Sequence, residues 1–271
     1  MSLPEDKERL ANLRDAEYKA DQLFREIERD LIRPGITEKD LSQEIHELGA
    51  KRFAIKSHWH KRVVRTGENT LCPYSANPPN LVIQADDIMF VDLGPLFEEW
   101  EADFGRTFVL GDDPDKIKLR DALEPTWHAV RARFLSNTKM TGEQLYQIAV
   151  EEASKRGWKF GAQLAGHLIG NFPHERIPND KISLYITKGN HQPMNALGAD
   201  GHRRHWILEI YLHHPSRPIG GFFEQLLTDD DQYINSEPLS GKASSPSKSA
   251  PGYLFAFTAA ILIVAVYIFG I

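Results

Sequence analysis

Four acidic residues stand in places where acids are costly. Asp92 lies in the apolar run IMFVDL (88–93), and Asp103, 11 residues on, comes just before RTFVL (106–110). Glu209 lies inside WILEIYL (206–212), and Glu224, 15 residues on, inside FFEQLL (222–227). Burying an unpaired carboxylate is strongly unfavourable. Four of them brought together would also repel, each raising the others' pKa. Something positive must compensate. Arg106 is near in sequence, but divalent cations do this better, because each offsets two charges and accepts several oxygen ligands. An imidazole could complete such a set. His167 sits in GHLIG (166–170), where the glycines would let backbone come close to a bound ligand, and His174 follows seven residues on. A single histidine is usually structural; His167 gains weight from the acids around it.

The elements that would position these residues form a repeating pattern. Each acid pair falls on two short β-rich runs joined by a turn-like stretch, GPLFEEW in the first case and HHPSRPIGG in the second, which predicts two hairpins with long loops. Two helices precede each hairpin. The second of each pair begins at ITEKDL (from Ile36) and MTGEQL (from Met140). At a constant offset of 104, Thr37 matches Thr141, Leu41 matches Leu145, Gln43 matches Gln147 and Lys51-Arg52 matches Lys155-Arg156. Both threonines suit N-caps. Thr141 with Gln144 makes a capping box, where the first copy has Asp40. The first helices of the pairs are expected near 14–32 and 115–136. The order helix, helix, hairpin thus occurs twice and predicts an α+β fold of two related halves around a common central sheet.

Bulk properties narrow the classes. A chain of 271 residues with 41% hydrophobic and 26% charged residues can bury a sizeable core. A net charge of −6 without a basic tract argues against a nucleic-acid partner. The single cysteine, Cys72, rules out an internal disulfide and fits a reducing compartment. Phosphate-loop, paired Cys-x-x-Cys and Gly-x-Ser-x-Gly patterns are absent. Residues 253–271 are almost wholly apolar (YLFAFTAAILIVAVYIFGI), and as a helix would span about 28 Å at roughly 1.5 Å per residue. The expected organisation is a domain at 1–233, a Ser/Pro/Lys-rich linker at 234–251 and a transmembrane tail anchor at 252–271. The domain would then face the cytosol from a membrane.

The series FVDLGP, ADFGRT, GHLIG, FPHE, LEI and FFEQLL resembles the ligand series of the pita-bread metallopeptidases: methionine aminopeptidase, prolidase and aminopeptidase P. The similarity runs over about residues 14–230 and is nearer the Xaa-Pro peptidase branch, and the expectation is a chain that lacks that branch's extra N-terminal domain. The resemblance implies a pita-bread fold and two divalent ions (Mn, Co, Fe or Zn). Asp92 would hold one ion, Asp103 and Glu224 would bridge both, and His167 and Glu209 would hold the other. It makes Glu209 a proton relay as well as a ligand, and His174 a substrate contact that stabilises the tetrahedral intermediate. The expected activity is hydrolysis of a short peptide or small amide, as an aminopeptidase or Xaa-Pro dipeptidase. Non-peptidase C–N hydrolysis, lyase chemistry and a non-catalytic binding module are the alternatives on this fold. A homodimer stays open.

Two departures stand out. The family's further histidine, upstream of the first aspartate, would fall near Cys72-Pro73-Tyr74, where none is present; Tyr74 is the substrate-side donor expected there. His58 and His60 lie too far upstream to align, and SHWH is expected to be an exposed strand or loop. Glu209 is followed by Ile210-Tyr211 where the family usually has Pro-Gly. The polar stretch before it, HQPMNALGADGHRRHW, is expected to be a solvated loop. On a sharper reading it faces substrate, with His202, Arg203, Arg204 and His205 suited to an anion.

Overall fold

A computed structural model describes residues 3–174 and 182–235. Glu175, all but the first two residues of the expected linker, and the apolar tail lie outside the described residues. The first half consists of α1 (Leu3–Asp30), α2 (Glu38–Phe53), β1 (Val63–Thr66), β2 (Ile88–Leu93), the small hairpin β3 (Leu96–Phe97) and β4 (Trp100–Glu101), and β5 (Phe104–Val109). The second consists of α3 (Pro114–Ser136), α4 (Gly142–Lys155), β6 (Lys159–Phe160), β7 (Leu164–Ile169), β8 (Tyr185–Thr187), β9 (His205–His213), β10 (Gly220–Leu226) and the short α5 (Asp231–Asn235).

The helix starts follow the capping chemistry in the sequence. Thr37 accepts a hydrogen bond from the Asp40 amide at the start of α2. Thr141 and Gln144 form the expected reciprocal box at the start of α4. α3 begins on Pro114 behind the N-cap Asp113. Each half packs its helices mainly on its own strands, although Leu10 and Leu13 of α1 and Ile88 of β2 join the cluster of the second half. Ile27, Leu41 and Ile45 meet Val91 and Phe104 in one apolar cluster. Leu123, Trp127 and Phe134 meet Leu208, Ile210 and Phe223 in the other.

The main sheet runs in the order β1-β2-β5-β10-β9-β7-β8, with β6 beside β9. Its seam is the antiparallel pair β5 and β10, so one half lies on each side. This is the expected α+β, pita-bread-like arrangement of two halves.

The expected transmembrane helix is not upheld. No helix among the described residues is long and apolar enough to cross a membrane. The longest, α1 with 28 residues, carries charges along its whole length (LPEDKERLANLRDAEYKADQLFREIERD), so it packs one face on the protein and gives the other to water. The expected transmembrane helix, membrane assignment and cytosol-facing placement thus find no support in the described residues, and the tail at 252–271 lies outside them.

Candidate metal centre

The sheet register assembles the acids. Antiparallel partners directly opposite one another share a face. Asp92 pairs with Gly105 across β2 and β5, Gly105 with Glu224 across β5 and β10, and Glu224 with Glu209 across β10 and β9. One row across four strands therefore presents Asp92, a gap, Glu224 and Glu209. Asp103, two residues before Gly105, falls on the same face and leans into the gap. The gap has to stay open: a Cβ on Gly105 would come within 2.5 Å of the Phe222 ring and 3.2 Å of the Glu224 Cβ.

β7 brings His167 to the same place. Its Nε2 lies 2.9 Å from Asp103 Oδ2 and 3.7 Å from Glu209 Oε1. Gly166, at φ 134°, lets β7 approach β9: a Cβ there would sit 2.0 Å from the Ile207 carbonyl oxygen. All five expected side chains thus meet. Asp103, His167 and Glu224 offer ligand atoms within 4.8 Å of one another.

A residue outside the expected set joins them. His60 Nε2 lies 3.0 Å from Asp103 Oδ1 and 3.5 Å from Asp92 Oδ1, and these three residues form a second group with ligand atoms within 4.8 Å. Past the exposed Ser57, SHWH is therefore no solvated segment. His58 bridges Pro95, and the Trp59 amide donates to the Gly94 carbonyl at 2.9 Å, which ties the segment to the end of β2. Gly94 of the Asp-x-Gly motif makes the room: a Cβ there would come within 2.1 Å of the His60 ring and 2.5 Å of Trp59 Nε1. The Trp59 ring packs edge-on against His60, His167 and His174, with centroids 4.5, 5.2 and 5.5 Å away.

His174 stands just outside the acid cluster. Its ring stacks against His167 at 6.3 Å. The buried Glu101 holds it, taking Nδ1 at 2.9 Å and the His174 amide at 3.1 Å, and also accepts from the Gly170 amide. Tyr74 lies next to His60, ring centroids 5.9 Å apart, with its hydroxyl accepting from the Lys61 amide at 3.4 Å. Burial pushes its pKa up to about 12, so it remains a hydrogen-bonding phenol at neutral pH.

Arg106 does not neutralise the acids. One residue from Gly105, it points to the other face, where Phe104 and Phe223 sandwich it and it donates to the Glu224 and Gly105 carbonyls and to Gln225. In the polar loop, Arg203 is buried against Asp6 and donates to the Tyr233 carbonyl, while His205 is buried against Thr228. Both are tied into the fold, and with His202, Arg204, Arg9 and His174 they also line a neighbouring cavity of about 560 Å³.

The charge balance of the cluster is unfinished. Among the described residues, His60 and His167 are the only cationic side chains within ion-pair distance of the four acids. Burial pushes Asp92, Glu209 and Glu224 above the usual carboxylate range, only partly opposed by these imidazoles at Asp92 and Glu209. Burial would lower both histidines, but Asp103 outweighs it and holds each at about 9. Burial would likewise raise Asp103, but the two imidazoles outweigh it and hold it at about 2. Asp92 Oδ1 and Glu224 Oε2 remain buried without a hydrogen-bond partner. Orphaned carboxylate oxygens beside imidazole nitrogens are the donor set of a divalent cation, so the residues present fit one.

The model of metallopeptidase family M24 matches residues 11–196. The chain belongs to this family. The matched stretch takes in Asp92, Asp103, His167 and His174; Glu209 and Glu224 lie beyond it and are placed by β9 and β10. Among relatives, the chain is 29% identical over 150 residues to a putative Xaa-Pro aminopeptidase of Mycoplasma genitalium, which is 55% of this chain and 42% of that protein. It is 26% identical over 170 residues to an Xaa-Pro dipeptidase of Lactobacillus helveticus, 62% of this chain and 45% of that one. The chain thus spans under half the length of these M24 relatives. The X-Pro aminopeptidase of Thermotoga maritima shares the fold with a TM-score of 0.65 at 19% identity, covering 82% of this chain and 61% of that one.

Proposed function

We propose that this chain is a two-metal hydrolase that cleaves a short peptide or small amide, with Xaa-Pro bonds as its first substrate class. The observation that carries this is the meeting of two buried carboxylates, Asp103 and Glu224, two largely buried ones, Asp92 and Glu209, and His167 around oxygens that lack a partner. The named M24 relatives support the substrate class. Asp92, Asp103, His167, Glu209 and Glu224 would hold two divalent ions of the Mn, Co, Fe or Zn kind. Once bound, such a pair supplies a water that ionises near neutral pH and a Lewis acid for the scissile carbonyl.

The protein groups then have separate tasks. Glu209, at the edge of the row beside His167, takes the proton that the attacking water releases at a carboxylate oxygen. Glu101 fixes His174 through Nδ1 and leaves Nε2 on the open side, from which the ring in its doubly protonated form would donate to the oxygen that gains charge on the substrate. Trp59 walls the three imidazoles with an apolar ring and limits water around them.

The test is a turnover screen of metal-stripped protein reloaded with Mn, Co or Zn, using Xaa-Pro dipeptides and tripeptides beside non-peptide amides. Ion-dependent release of an N-terminal residue is expected. Turnover of the non-peptide amides alone would replace the peptidase reading. Failure to take up any divalent ion would overturn the hydrolase reading as a whole.

A further inference from the structure

His60 and His167 are held in the same way. His60 Nδ1 lies 2.7 Å from the carbonyl oxygen of Lys61, the next residue; His167 Nδ1 lies 2.7 Å from that of Leu168, the next residue. In each ring the Nδ1 proton is donated to backbone, which turns Nε2 to the acids. A backbone carbonyl on one nitrogen and a carboxylate cluster on the other is the support that metal-ligating histidines receive.

The two rings also share one acid from opposite sides. Asp103 gives Oδ1 to His60 at 3.0 Å and Oδ2 to His167 at 2.9 Å. Each imidazole then has a carboxylate of its own half near at hand: Asp92 for His60 at 3.5 Å, and Glu209 for His167 at 3.7 Å. His60 is as buried as an internal ligand, with 9% of its side chain exposed, and the oxygen it faces on Asp92 is one of the orphaned ones.

We propose that His60 is a metal ligand, joining Asp92 and Asp103 at one end of the cluster as His167 joins Asp103 and Glu209 at the other, so that each ion receives one imidazole. This rests on the two-metal reading above and extends it. The donor set becomes O₄N₂ in place of O₄N, which shifts the preference toward borderline ions such as Co²⁺ and Zn²⁺ and away from Mg²⁺ or Ca²⁺.

The experiment uses the full chain stripped by chelator and titrated with Co²⁺, followed by calorimetry, elemental analysis and proton NMR of the paramagnetic protein. A ligating imidazole with a protonated Nδ1 gives one strongly shifted exchangeable resonance. Wild type should bind two ions and show two such resonances. His60→Gln should lose one resonance and bind the second ion at least about 100-fold more weakly, at or beyond the upper end of the effect of outer-sphere substitutions. Its unfolding temperature would show that it still folds. A wild-type chain that binds ions but shows one resonance overturns the assignment without needing any variant. So does a folded His60→Gln protein that keeps both ions at unchanged affinity, which would leave His60 as a substrate contact. A wild-type chain that takes up no ion overturns the two-metal reading, and this assignment with it.

Discussion

Removing the ion should turn the acid cluster into a pH-dependent weakness. Without it, burial holds the Glu209 carboxyl up from 4.5 to about 8, with Asp103 and Asp92 pushing the same way against His167. The folded pKa lies above the unfolded one, so the folded chain keeps a proton that the unfolded chain has already released. The stability gained from that proton is full at low pH and is lost as pH climbs through 8. Between pH 6 and 8 the slope is about 1.36 kcal/mol per pH unit, easing as the folded group itself ionises near 8, so the loss from Glu209 alone is about 2 kcal/mol. Asp92, raised to about 7 by burial, adds to the fall at the lower end of this range. His60 and His167 are held at about 9 by Asp103 against burial, and they lose stabilisation in the same direction from about 6.5 upward. At roughly 2–4 °C per kcal/mol for a domain of this size, the metal-free protein should melt at least about 4–8 °C lower at pH 8 than at pH 6. A bound divalent ion takes the place of these protons, so its stabilising effect should grow with pH. Scanning calorimetry of chelated and Zn²⁺-loaded protein at pH 6, 7 and 8 measures both trends. A metal-free melting temperature that is flat or rising over this range would refute the reasoning. So would an ion-induced shift no larger at pH 8 than at pH 6.

Two further outcomes separate the roles of single residues. His167→Ala should lose ion and turnover together, whereas His174→Ala should keep its ions and lose about 10²–10³ in rate, read by elemental analysis beside steady-state kinetics; normal turnover in His174→Ala would remove it from the chemistry. Gly94→Ala puts a Cβ 2.1 Å from the His60 ring, while Gly170→Ala meets nothing nearer than 3.7 Å. The first should weaken ion binding by about tenfold or more and the second should barely change it, and the opposite order in a Co²⁺ titration would show that Gly94 serves some other purpose.

The acids were legible because a carboxylate inside an apolar strand is a local anomaly that one sequence displays. The paired helices were legible through their caps, with Thr37 and Thr141 at matching places. Strand alternation also contained the answer for Arg106: an odd step from Gly105 and Asp103 puts it on the other face. His60 could not be found that way. It reaches the cluster through tertiary contacts of His58 and Trp59 with Pro95 and Gly94 just past β2, 35 residues and more downstream, and no periodicity records them. The one signal was indirect: Gly94, which the motif supplies, needs a neighbour close enough to forbid a side chain. Glu101 was hidden for a similar reason. In FEEWEADF it looks like one more surface acid, and only the folded chain buries it under His174. The burial of Arg203 and His205 could not be read from the loop, because the Asp6 and Thr228 that hold them are distant in sequence.

The seam between β5 and β10 has a consequence for how the centre comes into being. Asp92, Asp103 and His60 belong to the chain up to Val109; His167, Glu209 and Glu224 belong to the chain from Pro114 onward. Each portion carries its own helix pair and most of one apolar cluster, with Leu10, Leu13 and Ile88 of the first reaching into that of the second, but neither holds more than half of the donors. A break in the short link between Val109 and Pro114 would leave two fragments, each a poor chelator. Their reunion along β5 and β10 would create the tight site, so an added ion would act as the glue of a split protein and its uptake would report that the two fragments had docked.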